Sequence, residues 1–233
     1  MTNRQLSIDL PRFDARGRSD FMVSPANATA LALVDTWPDW PDHRLALVGP
    51  EGAGKSHLAA VWVAEAGARR LDAADLRAQD APALAEGPVL VEDADRHLVG
   101  PEAERALFHL WNACAATGKG LMLTGRRPPS DWGVTLPDLA SRLASLTPAI
   151  LRGPDEALLS ALLVKLFADR QMAVRPALVQ FLLPRMERSF AAAHAMVERL
   201  DAESLARTVP VDVALAKVLL EESGPDHAGA DPT

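Results

Sequence analysis

Short apolar runs alternate with longer amphipathic stretches between residues 21 and 152 of the chain. Such runs, separated by helical patterns, are typical of buried strands in a parallel sheet that has helices on both faces. We expect the strands at 44–48, 69–71, 89–93, 121–124 and 147–151. We expect the intervening helices at 28–35, 55–65, 73–77, 102–116 and 137–143.

The pattern changes after Gly153, where amphipathic helical stretches follow one another without strands. These stretches cover 154–169, 176–186, 189–206 and 211–221, and they predict a small all-helical lid domain. The organisation we expect is an extended arm at 1–20, an α/β domain at 21–152, the lid at 153–222 and a disordered tail at 223–233.

A glycine-rich segment joins the first strand of the α/β domain to the next helix. Its residues are Gly49, Pro50, Glu51, Gly52, Ala53, Gly54, Lys55 and Ser56, followed by His57 in the helix. The spacing G-x-x-x-x-G-K-S between a strand and a helix is that of a P-loop, in which backbone N–H groups surround a phosphate. Lys55 would neutralise the β- and γ-phosphates, and the Ser56 hydroxyl would contact Mg²⁺.

Two carboxylates end the third predicted strand, at Glu92 and Asp93. We expect this strand to lie beside the P-loop strand, so that Glu92 reaches Mg²⁺ and Asp93 reaches the attacking water. The alternative is a solvated acidic turn that continues to Asp95.

Charge and composition disfavour several classes of protein. The chain of 233 residues has 24 basic and 31 acidic side chains, a net charge of −7, which disfavours duplex DNA binding as its main activity. The single cysteine, Cys114, excludes an internal disulfide and is expected to be a small buried residue. The polar stretch at 1–18 has no signal-peptide pattern, and no run is long enough to cross a membrane, so we expect a cytoplasmic protein.

These motifs together resemble the DnaA-related AAA+ family, nearest to its regulatory inactivators of the initiator DnaA. The resemblance covers about residues 5–221 and implies an adenine nucleotide, ADP or ATP, with Mg²⁺. In residues 21–27 it implies that Phe21, Val23 and Asn27 shape the adenine pocket. In 136–143 it implies that Arg142 is an arginine finger acting in trans, and in 187–190 that Arg188 is the sensor 2 arginine. Alone, each arginine is a weak signal.

The arm carries a second short motif, made of Gln5, Leu6, Ser7, Ile8, Asp9 and Leu10. From its alternation alone, a short edge strand is the simplest interpretation. Within this family it resembles the peptide that binds the β sliding clamp of DNA polymerase III, with spaced apolar side chains entering a groove. No segment resembles the helix-turn-helix module of DnaA, which implies that DNA is reached only indirectly, through the clamp.

Two positions depart from the family pattern. Glu92 replaces an aspartate, and Arg126 stands where an acid usually follows the threonine of sensor 1, Thr124. Both changes predict weak intrinsic hydrolysis with intact nucleotide binding. The resemblance therefore implies a negative regulator of replication initiation that binds the clamp and stimulates ATP hydrolysis by DnaA; a homo-oligomer is compatible with it. The alternatives are a self-sufficient AAA+ ATPase and an adaptor with a vestigial nucleotide site.

Overall fold

The computed structural model describes residues 21–222, so the predicted clamp motif at 5–10 and the tail at 223–233 lie outside the described residues. Five parallel strands form one sheet in the order β2-β3-β4-β1-β5. The strands are β1 (Arg44–Val48), β2 (Arg69–Asp72), β3 (Val89–Glu92), β4 (Leu121–Gly125) and β5 (Pro148–Ile150). All five lie within one or two residues of the predicted positions.

The order of the strands corrects one expectation. β3 does not lie beside the P-loop strand β1, because β4 pairs with both of them. Leu45 of β1 and Leu90 of β3 both pair with Met122 in the middle of β4. All five residues of β4 are buried, which fits its central position in the sheet.

Helices of the α/β domain cover both faces of this sheet. They are α1 (Ala28–Val34), α2 (Lys55–Ala66), α3 (Ala81–Leu84), α4 (Ala94–His97), α5 (Pro101–Thr117) and α6 (Pro137–Ala144). Short 3₁₀ helices occupy Pro41–His43, Ala73–Ala78 and Pro129–Asp131. The short α3 and α4 were not predicted, since neither is long enough to show a helical period.

Alternation along the strands separates two apolar cores, one on each face of the sheet. Leu121 and Leu123 join a core with residues of α5 and α6. Met122, between them, joins the other core with residues of α1 and α2. Because successive side chains of a strand point to opposite faces, one continuous apolar run supplies both cores.

The lid has an apolar core of its own, formed by four helices. They are α7 (Glu156–Asp169), α8 (Pro176–Leu182), α9 (Phe190–Arg207) and α10 (Val213–Glu222). Asp155 caps α7 by accepting from the Leu158 N–H at 2.7 Å, and Ser189 caps α9 by accepting from Ala192 at 3.0 Å. None of the helices that the structure describes is long and apolar enough to span a membrane.

Candidate functional site

The P-loop needs its glycines for both conformation and space. Gly52 has φ +72° and Gly54 has φ +91°, in the left-handed region that disfavours other residues. A Cβ on Gly49 would lie 2.4 Å from the Leu151 carbonyl oxygen, and one on Gly52 would lie 2.4 Å from the Ser189 Cβ. The loop is therefore pressed between the end of β5 and the start of α9.

Lys55 begins α2 and is turned toward the P-loop itself. Its Nζ donates to the carbonyl oxygens of Gly49 at 2.8 Å and Pro50 at 2.9 Å. Burial lowers the pKa of the Lys55 ammonium from its ordinary value, while the nearby carboxylates of Asp93 and Asp95 act to raise it. The P-loop thus presents a buried cation close to two acidic side chains.

A cavity of about 740 Å³ lies between the P-loop, the segment at 21–22 and the lid. Its volume is in the range of small-molecule sites. Most of the predicted nucleotide residues contribute to its lining: Phe21, Glu51, Gly52, Gly54, Lys55, Ser56 and His57. Further lining residues were not predicted, among them Met22, Arg96, Lys165, Phe190 and His194. The sequence offered no signal for the lid residues, because their direction depends on how the lid is docked.

The segment at 21–27, predicted to shape the adenine pocket, contributes to the cavity in two ways. The Phe21 ring meets the His57 ring edge-on, with centroids 5.4 Å apart, at the wall of the cavity. Asn27 is buried and acts through the backbone: its Nδ2 donates to the Met22 carbonyl at 2.8 Å, and its Oδ1 accepts from the Ser24 N–H at 2.8 Å. Val23 is 60% exposed and is not among the lining residues. Asn27 therefore fixes the position of Phe21 and Met22.

The lid is docked directly on the P-loop. The Phe190 N–H, at the start of α9, donates to the Gly52 carbonyl at 3.1 Å. A Cβ on Gly54 would lie 3.2 Å from the Phe190 ring. Gly52 and Gly54 thus leave room for the start of α9.

The two predicted acidic residues point to different places. Asp93 lines the cavity, and its backbone N–H donates to the Thr124 Oγ1 at 3.0 Å. The Glu92 carboxylate instead pairs with the Arg70 guanidinium on β2, and Glu92 is not among the lining residues. The residue predicted to join Ser56 at Mg²⁺ is thus engaged elsewhere. The described part of the chain holds no group of three or more His, Cys, Asp or Glu side chains suited to a metal.

The structure also separates the predicted sensor 2 arginine from the cavity. Arg188 is exposed and its Nη2 lies 3.8 Å from the Glu156 carboxylate. Because Ser189 is the N-cap of α9, Arg188 precedes the helix, and Ala191 and His194 are the α9 residues that line the cavity with Phe190. Arg188 is not among the residues that line the cavity, and its sensor 2 role stays a prediction.

Arg126, which departs from the family pattern, does line the cavity. Its Nη2 lies 2.6 Å from the Glu51 Oε2, and its backbone N–H donates to the Asp95 Oδ2 at 2.9 Å. The loop that follows β4 is thereby joined to both the P-loop and α4.

Arg142 lies on a different surface, near the amino end of β1. Its guanidinium is 4.7 Å from the centre of the Phe108 ring and donates to the Asn112 Oδ1 on α5. The preceding residue of α5, Trp111, accepts a hydrogen bond from Arg44, which begins β1. The P-loop follows the other end of this five-residue strand, about 13 Å away.

A buried carboxylate that the sequence analysis missed supports this surface. Glu104 on α5 is 3% exposed and accepts from the Leu136 N–H at 2.7 Å and the Thr135 N–H at 3.1 Å. Burial alone would raise the pKa of Glu104, but these hydrogen bonds lower it below its ordinary value. Leu136 is the N-cap of α6, so Glu104 anchors the helix that carries Arg142. The sequence held one signal for this buried carboxylate, since Glu104 lies on the apolar side of the helical pattern of α5.

No family model matches the chain. Among solved structures it is similar to domain III of the replication initiation protein DnaA from Thermotoga maritima, with 19% identity, a TM-score of 0.73, and coverage of 89% of this chain and 96% of that one. It is also similar to AMPPCP-bound DnaA from Aquifex aeolicus, with 15% identity, a TM-score of 0.68, and coverage of 78% and 64%. The RuvB Holliday junction branch migration motor of Thermotoga maritima matches with 14% identity, a TM-score of 0.60, and coverage of 81% and 64%.

These likenesses concern the fold. The chain has the fold of these structures, a P-loop α/β domain with a parallel five-stranded sheet followed by a helical domain. It spans about two thirds of the length of a DNA replication initiation factor, 66%, and 64% of the Aquifex aeolicus DnaA chain.

Proposed function

We propose that this protein is a negative regulator of DNA replication initiation that resembles Hda, the regulatory inactivator of DnaA. One observation carries the proposal: the cavity lies at the carboxyl end of β1, whereas Arg142 lies on a surface near the amino end of that strand. A cation that cannot serve its own P-loop is suited to the nucleotide of another molecule. The protein then acts mainly as an activator of a partner's ATPase.

The cavity is proposed to bind an adenine nucleotide, ADP or ATP, as a ligand that holds the P-loop and lid together. Left-handed glycines, the amino end of the 12-residue helix α2 and the cation of Lys55 fit a phosphate chain. The solved DnaA with bound AMPPCP has the same fold, which supports this choice of ligand.

A magnesium ion is proposed to bind only together with the nucleotide. Among the lining residues, Ser56 and Asp93 offer oxygen atoms suited to it, whereas the carboxylates of Glu51 and Asp169 are paired with Arg126 and Lys165. Phosphate oxygens would complete its shell. Glu92 is left out because its carboxylate is held by Arg70. Such a site, which depends on the ligand, accords with weak intrinsic hydrolysis.

Arg142 is proposed to act in trans on ATP bound to DnaA. Its present partners are an amide oxygen and an aromatic ring, both uncharged, so an anionic phosphate would be a stronger partner than either. Stabilising the charge on a transferring phosphoryl group is the established role of an arginine supplied by another subunit.

The segment of Gln5, Leu6, Ser7, Ile8, Asp9 and Leu10 is proposed to bind the β sliding clamp. An extended peptide of this kind gains affinity from apolar side chains that enter a groove, and specificity from its polar groups. Binding to a clamp on DNA would bring Arg142 to DnaA at sites of replication.

The proposal is tested by measuring ATP hydrolysis by DnaA with this protein and ADP, in the presence and absence of DNA-loaded clamp. We expect strong stimulation with the loaded clamp, and its loss when Leu6 and Ile8 are changed together to alanine. Absence of stimulation with ADP and with ATP would contradict the proposal.

A self-sufficient ATPase is the second candidate, and it is favoured by the retention of Lys55, Ser56 and Asp93 in one cavity. It predicts rapid ATP turnover by the purified protein, unaffected by the clamp. Weak turnover that does not respond to the clamp would leave the regulatory function as the better account.

A further inference from the structure

Hydrogen bonds and packing join the backbone around Arg126 to the P-loop. The Gly49 N–H, at the start of the loop, donates to the Gly125 carbonyl at 3.1 Å. Gly125 is packed under Trp132, whose ring atoms would lie 2.8 Å from an added Cβ. The Arg126 N–H is fixed by Asp95 at 2.9 Å. The backbone of Arg126 is therefore held next to the loop, while its guanidinium extends into the cavity.

Both this guanidinium and the Lys55 ammonium are held by consecutive residues of the P-loop. Lys55 donates to the carbonyls of Gly49 and Pro50, and Arg126 pairs with the carboxylate of Glu51 at 2.6 Å. Carbonyl and carboxylate oxygens are the acceptors that phosphate oxygens would replace. The loop thus binds two of the cations that line this cavity, and a phosphate chain would attract both.

The lid supplies Lys165 of α7 to the cavity lining, where it is paired with Asp169 at 2.7 Å, but it does not supply the predicted Arg188. Arg188 is turned toward Glu156, and the α9 residue that lines the cavity next to Phe190 is Ala191. Arg126 supplies a cation to the same cavity from the opposite side, at the end of β4.

We infer that Arg126 contacts the phosphates of the nucleotide in the chain's own cavity and that Glu51 competes with those phosphates for it. The inference rests on the proposed binding of an adenine nucleotide. The Glu51 side chain is 76% exposed and that of Arg126 is 38% exposed, so their pair can open without disturbing the apolar core. Nucleotide binding then exchanges an ion pair of the protein for one with the ligand, and Glu51 sets how readily the exchange occurs.

The two residues are distinguished by opposite effects on affinity for ADP. Arg126→Ala should weaken ADP binding about tenfold, the effect of losing a hydrogen bond to a charged group. Glu51→Gln removes the competing carboxylate and should tighten ADP binding about twofold to fivefold, the range for an exposed salt bridge. In the double variant, Glu51→Gln should have no further effect, because its partner is absent. Arg126→Lys should recover part of the affinity.

The experiment is a titration of the full chain with ADP and Mg²⁺, for the wild type, these variants and Lys55→Ala. Melting temperatures near that of the wild type control for folding. Binding that is lost in Lys55→Ala but unchanged in Arg126→Ala would overturn the inference and leave the nucleotide site intact. Weaker binding in Glu51→Gln would also overturn it, since a competitor cannot assist the ligand. Failure of the wild type to bind ADP or ATP would instead overturn the proposed function.

Discussion

The cavity and the Arg142 surface hold their cations in different ways. In the cavity, the cations are close to carboxylates, with Arg126 paired to Glu51 and Lys55 near Asp93. At the other surface, Arg142 is held by the neutral groups of Asn112 and Phe108. The first arrangement compensates positive charge within the molecule, whereas the second holds a charge in place without neutralising it. This difference favours a ligand bound inside the cavity, and an anion that belongs to another molecule at the Arg142 surface.

The largest expected effect in the cavity is that of Lys55→Ala. Loss of a buried cation that faces the phosphates should weaken ADP binding by a factor on the order of 100 or more. Calorimetric titration with ADP would measure it. Clamp binding should be unchanged, because the proposed clamp motif at 5–10 is separate in sequence from the P-loop. If Lys55→Ala stimulates DnaA as well as the wild type, the nucleotide site is vestigial and the protein is an adaptor.

Gly52→Ala tests whether the lid and the P-loop fit together as described. The substitution adds strain at φ +72° and a clash with Ser189, and together they should destabilise the protein by about 2–3 kcal/mol. Gly118→Ala is the matched control, because Gly118 has φ +64° but nothing within 4 Å of the added Cβ. Chemical denaturation of both variants would separate the free-energy cost of backbone strain from that of the steric clash. Equal destabilisation by the two substitutions would contradict the close contact between Gly52 and α9.

Glu104→Gln tests the other region through pH. The folded-state pKa of Glu104 is lowered by the hydrogen bonds from Thr135 and Leu136, so its carboxylate stabilises the fold above its unfolded pKa of about 4.3. That stabilisation is lost as the pH falls through the folded pKa. We expect the variant to lose about 1–3 kcal/mol at pH 7, and the difference from the wild type to shrink below about pH 4.

Denaturation curves from pH 7 to pH 3 would measure this difference, with the exposed Glu102→Gln on the same helix as the control. ADP binding should not change in the Glu104 variant, since α6 is remote from the cavity. A difference that is constant with pH would contradict the role of the ionised carboxylate.

The sequence was informative wherever the determining interactions are local. The glycine spacing defines the P-loop, and the strand and helix at its two sides follow from apolar runs of the appropriate length. The start of the 3₁₀ helix at Ala73–Ala78 is also local, because Asp72 caps it by accepting from the Ala74 N–H at 2.8 Å. A cap depends only on neighbouring residues.

The errors concern properties that distant residues decide. The position of β3 depends on which strand pairs with β1, and local sequence does not determine this. Arg188 pairs with Glu156, 32 residues away along the chain, and is not among the residues that line the cavity. Glu92 pairs with Arg70, 22 residues away along the chain, on a neighbouring strand. Side-chain direction at such points follows from tertiary packing.

The central claim is that Arg142 acts on the nucleotide of a partner. Its most direct test is the rate of ATP hydrolysis by DnaA with loaded clamp, ADP and either Arg142→Ala or the control Arg105→Ala, an exposed arginine on α5. We predict that Arg142→Ala lowers the stimulation by a factor on the order of 10³ while ADP and clamp binding are retained, and that Arg105→Ala stimulates like the wild type. Full stimulation by Arg142→Ala would contradict the account.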